Sequence, residues 1–502
     1  MTEFRRPNAA CAQLHDRFKV AANGTDYTKQ YSHMYIKRTL LMKQVLIRMA
    51  ALRWPDVPLA DRVIDTEGST KNTHDWAIVG VLYKEMKLRG SVLDEFKGSG
   101  TGLISAVDTS RMIASDDDYL VLEDESGRVE ISGESLQVQH TVSGVMIAVR
   151  GRVDSKGVFQ VADVLTYDSC YSNEPLSSDN DDRYVMLVSG LGVGRARSPE
   201  EMIADNDVGD IDLSRQLLLD WLSGRVGGDE DVALSSKVVR LILAGDSIDV
   251  PAIDHDAVAL TYGPNRTKLE KDHQVKSGNI IKRFDAYLAM GLGALPIDVM
   301  PGGNDPAVQI MPQQPLHPCL LPISRRFSSL SLVTNPYDFR FGQGEAGSCR
   351  ILGHSGQPVA DILSQTNFRD LLSPGINEKQ MCLIALKKTL QWGHLAPTSP
   401  DTLPSYPLTD GDPFVIPAPK SAEKPSDEGN TPHILFAGNQ PCFASELVHT
   451  NRYQTLLVCV PVFRTTGTAV LVNLRTLEAR PIHFQLNSHS HHADEITTMD
   501  CA

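Results

Sequence analysis

Two short stretches carry residue types that suit phosphoryl chemistry. In Gly245-Asp246-Ser247-Ile248-Asp249 two carboxylates stand in the turn after the apolar run Val238 to Ala244. Carboxylates at a strand end are the hard oxygen donors that a two-metal phosphodiesterase needs. In Tyr184 to Gly194, YVMLVSGLGVG, a similar run breaks into Gly190-Leu191-Gly192-Val193-Gly194. A glycine turn there either cradles a phosphate or opens the first ligand loop of a two-metal site. The cradle fails on spacing: no Gly-Lys-Ser/Thr follows, and Gly190-x-Gly192-x-Gly194 does not meet the dinucleotide spacing. The ligand loop fails on chemistry, because the turn offers no metal-binding side chain. Ser189 is not a nucleophile elbow either, since Leu187 stands where that motif needs glycine. His317, His354 and His394 are candidates for an unorthodox site, but scattered histidines are read first as packing or surface residues. Asp246 has a plain reading too, as a carboxylate capping a loop.

The elements that must position these turns follow from hydrophobic periodicity. Residues 1–26 are polar and irregular. From Tyr27 to Arg53 apolar residues recur at helical spacing, and Trp54-Pro55 ends the run. This helix carries Lys29, Lys37, Arg38, Lys43, Arg48 and Arg53; a solvated face is favoured over a DNA-facing one. Between Thr73 and Ser172 about five strands are expected, at 77–83, 119–123, 128–131, 142–151 and 158–164, joined by Gly-containing turns, which suits an OB-fold. That segment holds nine Lys and Arg against sixteen Asp and Glu, a balance that favours a protein-binding or structural barrel over a single-strand groove. Beyond a polar linker at 172–182, strands and helices alternate as an α/β core, with a helix at 213–222. Strands are expected at 184–189, 238–244, 330–333, 349–352, 414–416, 434–437 and 455–460, and Leu295 to Met300 leads into the turn Pro301-Gly302-Gly303-Asn304. Residues 417–431 read as a disordered insertion, and His489, His491 and His492 as a solvated tail. The division expected is 1–72 tail and helix, 73–172 OB-fold, 173–480 α/β body and 481–502 tail.

The formal charge of −14 argues against broad nucleic-acid binding, which is built on Lys and Arg. Eight cysteines with no CxxC, several in apolar runs, point to buried thiols in a reducing compartment. No stretch reads as a signal peptide or reaches transmembrane length, so a soluble, intracellular protein is expected, with no membrane partner.

In order and spacing the chain from Tyr184 onward resembles the calcineurin-like phosphoesterase superfamily. That superfamily supplies its metal ligands as Asp-x-His, Gly-Asp-x-x-Asp, Gly-Asn-His-Asp/Glu, a lone His and Gly-His-x-His. On this resemblance the first pair falls on Gly190 and Gly192, and the second motif survives at Asp246. The third motif meets Gly303 and Asn304, the lone His falls on Ser355, and the last is replaced by Gly438-Asn439-Gln440-Pro441, so that Asn439 and Pro441 stand at lapsed positions. One retained carboxylate cannot hold two ions, so no metal, cofactor or catalytic residue is expected.

An OB barrel followed by such a body resembles the B subunits of eukaryotic replicative DNA polymerases, in particular those of DNA polymerase delta. The resemblance rests on QYSHMYIKR at Gln30 to Arg38, DYLVLEDESGRVEISG at Asp118 to Gly133, VMLVSGLGVG at Val185 to Gly194 and MPQQPLHPCLLP at Met311 to Pro322. LVTNPY at Leu332 to Tyr337, HLAPTSPDTL at His394 to Leu403 and LVNLRTL at Leu471 to Leu477 complete it. Departures are the acidic loop 199–212, the 417–431 insertion, the tail, and an Asp at 246 where Asn is common. The resemblance implies a noncatalytic, nuclear scaffold in DNA replication and repair. Its partners would be the cysteine-rich C-terminal domain of the catalytic subunit of DNA polymerase delta and a third subunit that reaches the sliding clamp. Service to polymerase zeta and little direct DNA contact are implied as well. A degenerate metal-dependent phosphoesterase and a single-stranded-DNA-binding OB protein are the alternatives.

Overall fold

Apolar strands, buried over long runs in Trp76–Glu85 and Met146–Val153 and alternating in Arg128–Ser132, build the N-terminal barrel. The chain opens with β1 (Cys11–Gln13) and α1 (Ser32–Arg53), then β2 (Trp76–Glu85), β3 (Tyr119–Glu123), β4 (Arg128–Ser132), β5 (Met146–Val153) and β6 (Phe159–Leu165). Strands β2 to β6 close into a barrel in the order β2-β3-β4-β6-β5. In β4 only Val129 and Ile131 are buried, the period-two signature of a strand with one wet face. Helix α1 buries Met34, Arg38, Met42, Leu46 and Ala50, one side chain every fourth residue, and packs on β2, β5 and β6. The computed structural model describes residues 6–485 except 8, 21–29, 66–73, 90–111, 171–172, 174–175, 177–180, 195–210, 251–263, 343–346, 373–376, 378–379, 409–410, 417–430 and 451. The His-bearing tail, nearly all of the 417–431 insertion and most of the acidic loop and the 172–182 linker lie outside the described residues.

The second half follows as β7 (Tyr184–Val188), α2 (Ile211–Leu222), α3 (Asp229–Ser236), β8 (Val238–Ala244), α4 (Pro264–Leu292), β9 (Ile297–Met300), β10 (Leu330–Leu332), β11 (Tyr337–Phe341) and β12 (Cys349–His354). Then come α5 (Gln357–Gln365), α6 (Met381–Trp392), β13 (Ile434–Gln440), β14 (Ala444–His449), β15 (Gln454–Pro461), α7 (Phe463–Thr466), β16 (Thr468–Asn473) and β17 (Ala479–His483). They form two six-stranded sheets, β1-β11-β12-β13-β15-β14 and β10-β9-β8-β7-β16-β17. The sheets face each other across one apolar cluster, with Val185, Leu187 and Ile242 from one meeting Ile351, Phe436 and Val458 from the other. Outside, Leu218 and Trp221 of α2 and Phe284 and Leu288 of α4 cover the second sheet. Val359 of α5 and Leu386 and Leu390 of α6 cover the first, in a cluster that runs on into the barrel and α1. Helices on both outer faces of two stacked sheets, after an OB barrel, make the α+β architecture of a phosphoesterase-like body.

Residues 414–416 are not a strand. Val415 makes one bridge with His394, while Phe414 and Ile416 are buried in the first core, so an apolar triplet mimicked a strand by burial alone.

Candidate functional site

Parallel strands in both sheets end on the same edge of the sandwich. Strands β7, β8 and β9 run parallel in one sheet, and β12, β13 and β15 in the other. Their carboxyl ends are where α/β bodies place ligands. The turns there are laced together: Gly190 N donates to Gly245 O (2.9 Å), Gly192 N to Asp246 O (3.0 Å), and Arg464 N back to Gly190 O (3.0 Å). Ser189 Oγ accepts from Asn439 N at 2.8 Å and lies within hydrogen-bonding reach of the Val460 and Pro461 carbonyls, joining the two sheets. Between these turns is a cleft of about 30 Å³ lined by Gly190, Gly192, Asp246, Asp249, Asn304, Asn439, Val462 and Arg464. That volume suits one or two water-sized groups.

The glycine turn is glycine for two reasons. Gly190 and Gly192 have φ of +63° and +58°, the left-handed region that a Cβ disfavours. A Cβ on Gly190 would stand 2.7 Å from Val462 Cγ1 and 2.9 Å from Asn439 Oδ1, and one on Gly192 would stand 2.9 Å from Arg464 Cδ. The volume that side chains at 190 and 192 would fill is taken from across the cleft by Val462 and Arg464. Arg215 of α2 fixes the turn from behind, donating to Leu191 O and Gly192 O.

Electrostatically the cleft is self-contained. The Asp246 carboxylate accepts from Asn304 N (2.8 Å) and Asn304 Nδ2 (2.9 Å). Desolvation raises its pKa, opposed by those two bonds and by Arg464. Arg464 Nη1 donates to Asp249 Oδ2 at 2.8 Å, which puts a guanidinium beside both carboxylates. Beneath them Asp305 accepts from Ile248 N and Gly302 N; burial, then the charge of Asp246, pushes it up to about 7.

The structure brings together Gly190, Gly192, Asp246, Asn304 and Asn439. Gly303 is exposed, with its Cβ direction 4.0 Å from Asp246 Oδ1, and Pro441 is exposed beyond the end of β13; neither lines the cleft. Ser355 is buried behind it, taking a bond from Asn335 Nδ2 and holding Asn439 Nδ2 through its carbonyl. His394 bonds Asp412, His317 accepts from Cys319 N, and His354 is buried, pushed down to about 3 by desolvation. Among the described residues no group of three or more His, Cys, Asp and Glu is placed to hold a metal ion. Val462 and Arg464 escaped sequence reasoning. Their one signal was a pair spaced i, i+2 directly after an apolar strand, with neither residue of a ligating type.

Comparison with known proteins matches residues 30–164 to the model of the DNA polymerase delta subunit OB-fold domain and residues 201–445 to that of the B subunit of DNA polymerase alpha/epsilon. The chain is 33% identical over 483 residues to a DNA polymerase delta small subunit of Oryza sativa subsp. japonica, covering 96% of this chain and 99% of that protein. It is 31% identical to DNA polymerase delta subunit 2 of Drosophila melanogaster, over 93% of this chain and 95% of that one. With the DNA polymerase delta small subunit of Saccharomyces cerevisiae the identity is 27%, over 93% and 92%. Near-complete coverage at this identity means that the chain belongs to the DNA polymerase delta small-subunit family.

Proposed function

We propose that this chain is a noncatalytic accessory subunit of a DNA polymerase delta complex in replication and repair, and that its strand-end cleft is a lapsed two-metal site. The observation that carries the second part is the placing of Val462 and Arg464 against Gly190 and Gly192. This reading moves the last two motifs one strand onward from where the sequence resemblance put them: Val462 and Arg464, spaced i, i+2 after β15, rather than Asn439 and Pro441, stand where the His-x-His of a phosphoesterase would project, and Asn439 rather than Ser355 takes the place of the lone His. Arg464 then supplies, from the chain itself, the positive charge that Asp246 and Asp249 would otherwise draw from ions.

The family supports a partnership with the other subunits of DNA polymerase delta. The body would hold the cysteine-rich C-terminal domain of the catalytic subunit on one face and a third subunit on another, reaching the sliding clamp through the latter. Polymerase zeta would be a second assembly. A nuclear location goes with that work, and the charge of −14 suits basic protein partners better than DNA. The limits 1–72, 73–172, 173–480 and 481–502 are kept as working units with three changes: α1 goes with the barrel on which it packs, β1 with the body whose β11 it pairs, and β17, which runs on to His483, with the body as well.

Co-expression of the full chain with the catalytic chain's C-terminal domain tests this reading. The two should co-elute as one species through gel filtration at moderate salt. Separate elution of two folded proteins would count against it.

A further inference from the structure

Three thiols meet where α6 crosses the β13–β14 turn. Cys382 lies in the first turn of α6, Cys442 in the turn between β13 and β14, and Cys459 on β15, opposite Ala444 in the antiparallel register with β14. The Cys382 thiol is in hydrogen-bond contact with those of both Cys442 and Cys459. Cys382 and Cys459 are buried, whereas Cys442 is only partly so, and all three are in the reduced, thiol form. An oxidant therefore reaches the group through Cys442.

We propose that Cys382 and Cys442 are an oxidisable pair, converted by a peroxide-class oxidant into an intramolecular disulfide that pins α6 to the β13–β14 turn. The chemistry balances with one peroxide. The Cys442 thiolate attacks one peroxide oxygen, the O–O bond breaks, and sulfenic acid and hydroxide result. The hydroxide then takes the proton of Cys382, which the neighbouring Cys459 and burial hold on the sulfur, and the thiolate so formed attacks the Cys442 sulfur; the S–S bond forms as the S–O bond breaks, and a second hydroxide leaves. The two thiol protons convert both hydroxides to water. Two thiols are oxidised and one peroxide is reduced. Cys382 is the resolving residue because Cys459, held in the ladder of β15, cannot follow Cys442 without breaking sheet pairing. The turn that would be pinned begins at Gln440, next to Asn439 of the cleft. Bond formation there stiffens the joint between the first sheet and its covering helix.

The test is peptide mapping of the purified full chain after a small molar excess of hydrogen peroxide and alkylation. A Cys382–Cys442 linked peptide should dominate, disappear on treatment with dithiothreitol, and be absent from Cys442→Ser. It should persist in Cys319→Ser, which removes an exposed thiol elsewhere. Full alkylation of Cys382 in oxidised wild type, a sulfinic acid at Cys442 as the main product, or a dominant Cys442–Cys459 link would each overturn the proposal. Because the assignment is read on the wild-type chain, poor folding of a variant leaves it decidable.

Discussion

Arg38 and Asp412 share a 2.6 Å hydrogen bond although 374 positions apart, and neither side chain is exposed. The other guanidinium nitrogens donate to the carbonyls of Gly144 in the barrel segment and of Pro397 and Ser399 in the body. His394 reaches the same carboxylate at 2.9 Å; its Nδ1 accepts from Ala396 N, so Nε2 carries the proton and donates. Burial alone would raise the Asp412 carboxyl, but Arg38 and His394 outweigh it and hold it below the ordinary carboxylate range. One side chain on α1 thus joins helix, barrel and body.

Removing it should be costly. Arg38→Met leaves the buried Asp412 carboxylate to His394 and the Phe414 N–H, and breaking a buried pair in this way costs about 3–5 kcal/mol. Arg38→Lys should recover little of that, because one ammonium cannot span a carboxylate and three carbonyls. Urea unfolding of the full chain checks both, and a loss under about 1 kcal/mol for the methionine variant, the size of a surface pair, contradicts the staple.

The two glycines of the cleft should differ. Alanine at either has to adopt a left-handed conformation, a strain of roughly 1–3 kcal/mol. At Gly190 the new Cβ also meets Val462 Cγ1, fixed just past β15 by its N–H on Gln440 O, and Asn439 of β13, while at Gly192 it meets the flexible chain of Arg464. Gly190→Ala should therefore lower the unfolding midpoint more than Gly192→Ala, and the reverse order would show that Arg464 is the more rigid wall.

How far the sequence reveals this arrangement depends on which signal each element carries. A short apolar run before a turn placed β3 at its observed bounds, period-two alternation placed β4 to within a residue, and an unbroken apolar run placed β8. Helix α4, Pro264–Leu292, escaped because its first half is crowded with charged and polar residues and no long apolar stripe emerges. Strands β16 and β17 lie within or beside a segment read only as a family motif, and a strand that pairs with β7 from the far end of the body leaves no local trace. At the site, glycines and a lone Asp announced a strand-end cleft by what was missing. What fills it, Val462 and Arg464, is visible only once β15 is seen beside β13.

Asp305 gives the cleft a pH signature. Its pKa rises from 3.8 to about 7 through burial and the neighbouring Asp246. Between those values the folded chain holds a proton that the unfolded chain has released. This group's contribution to stability is therefore full below about pH 4 and is lost as pH rises through about 7. Wild-type stability minus that of Asp305→Asn should fall across this window by up to about 1.4 kcal/mol per pH unit. A flat or rising difference, measured by urea unfolding at matched ionic strength, contradicts the assignment.

Hydrolysis of a generic phosphodiester by the full chain in saturating manganese goes most directly to the claim that Arg464 and Val462 have replaced a working metal site. The rate should be indistinguishable from that of Asp246→Ala and from buffer. Manganese-dependent turnover that Asp246→Ala abolishes would contradict it.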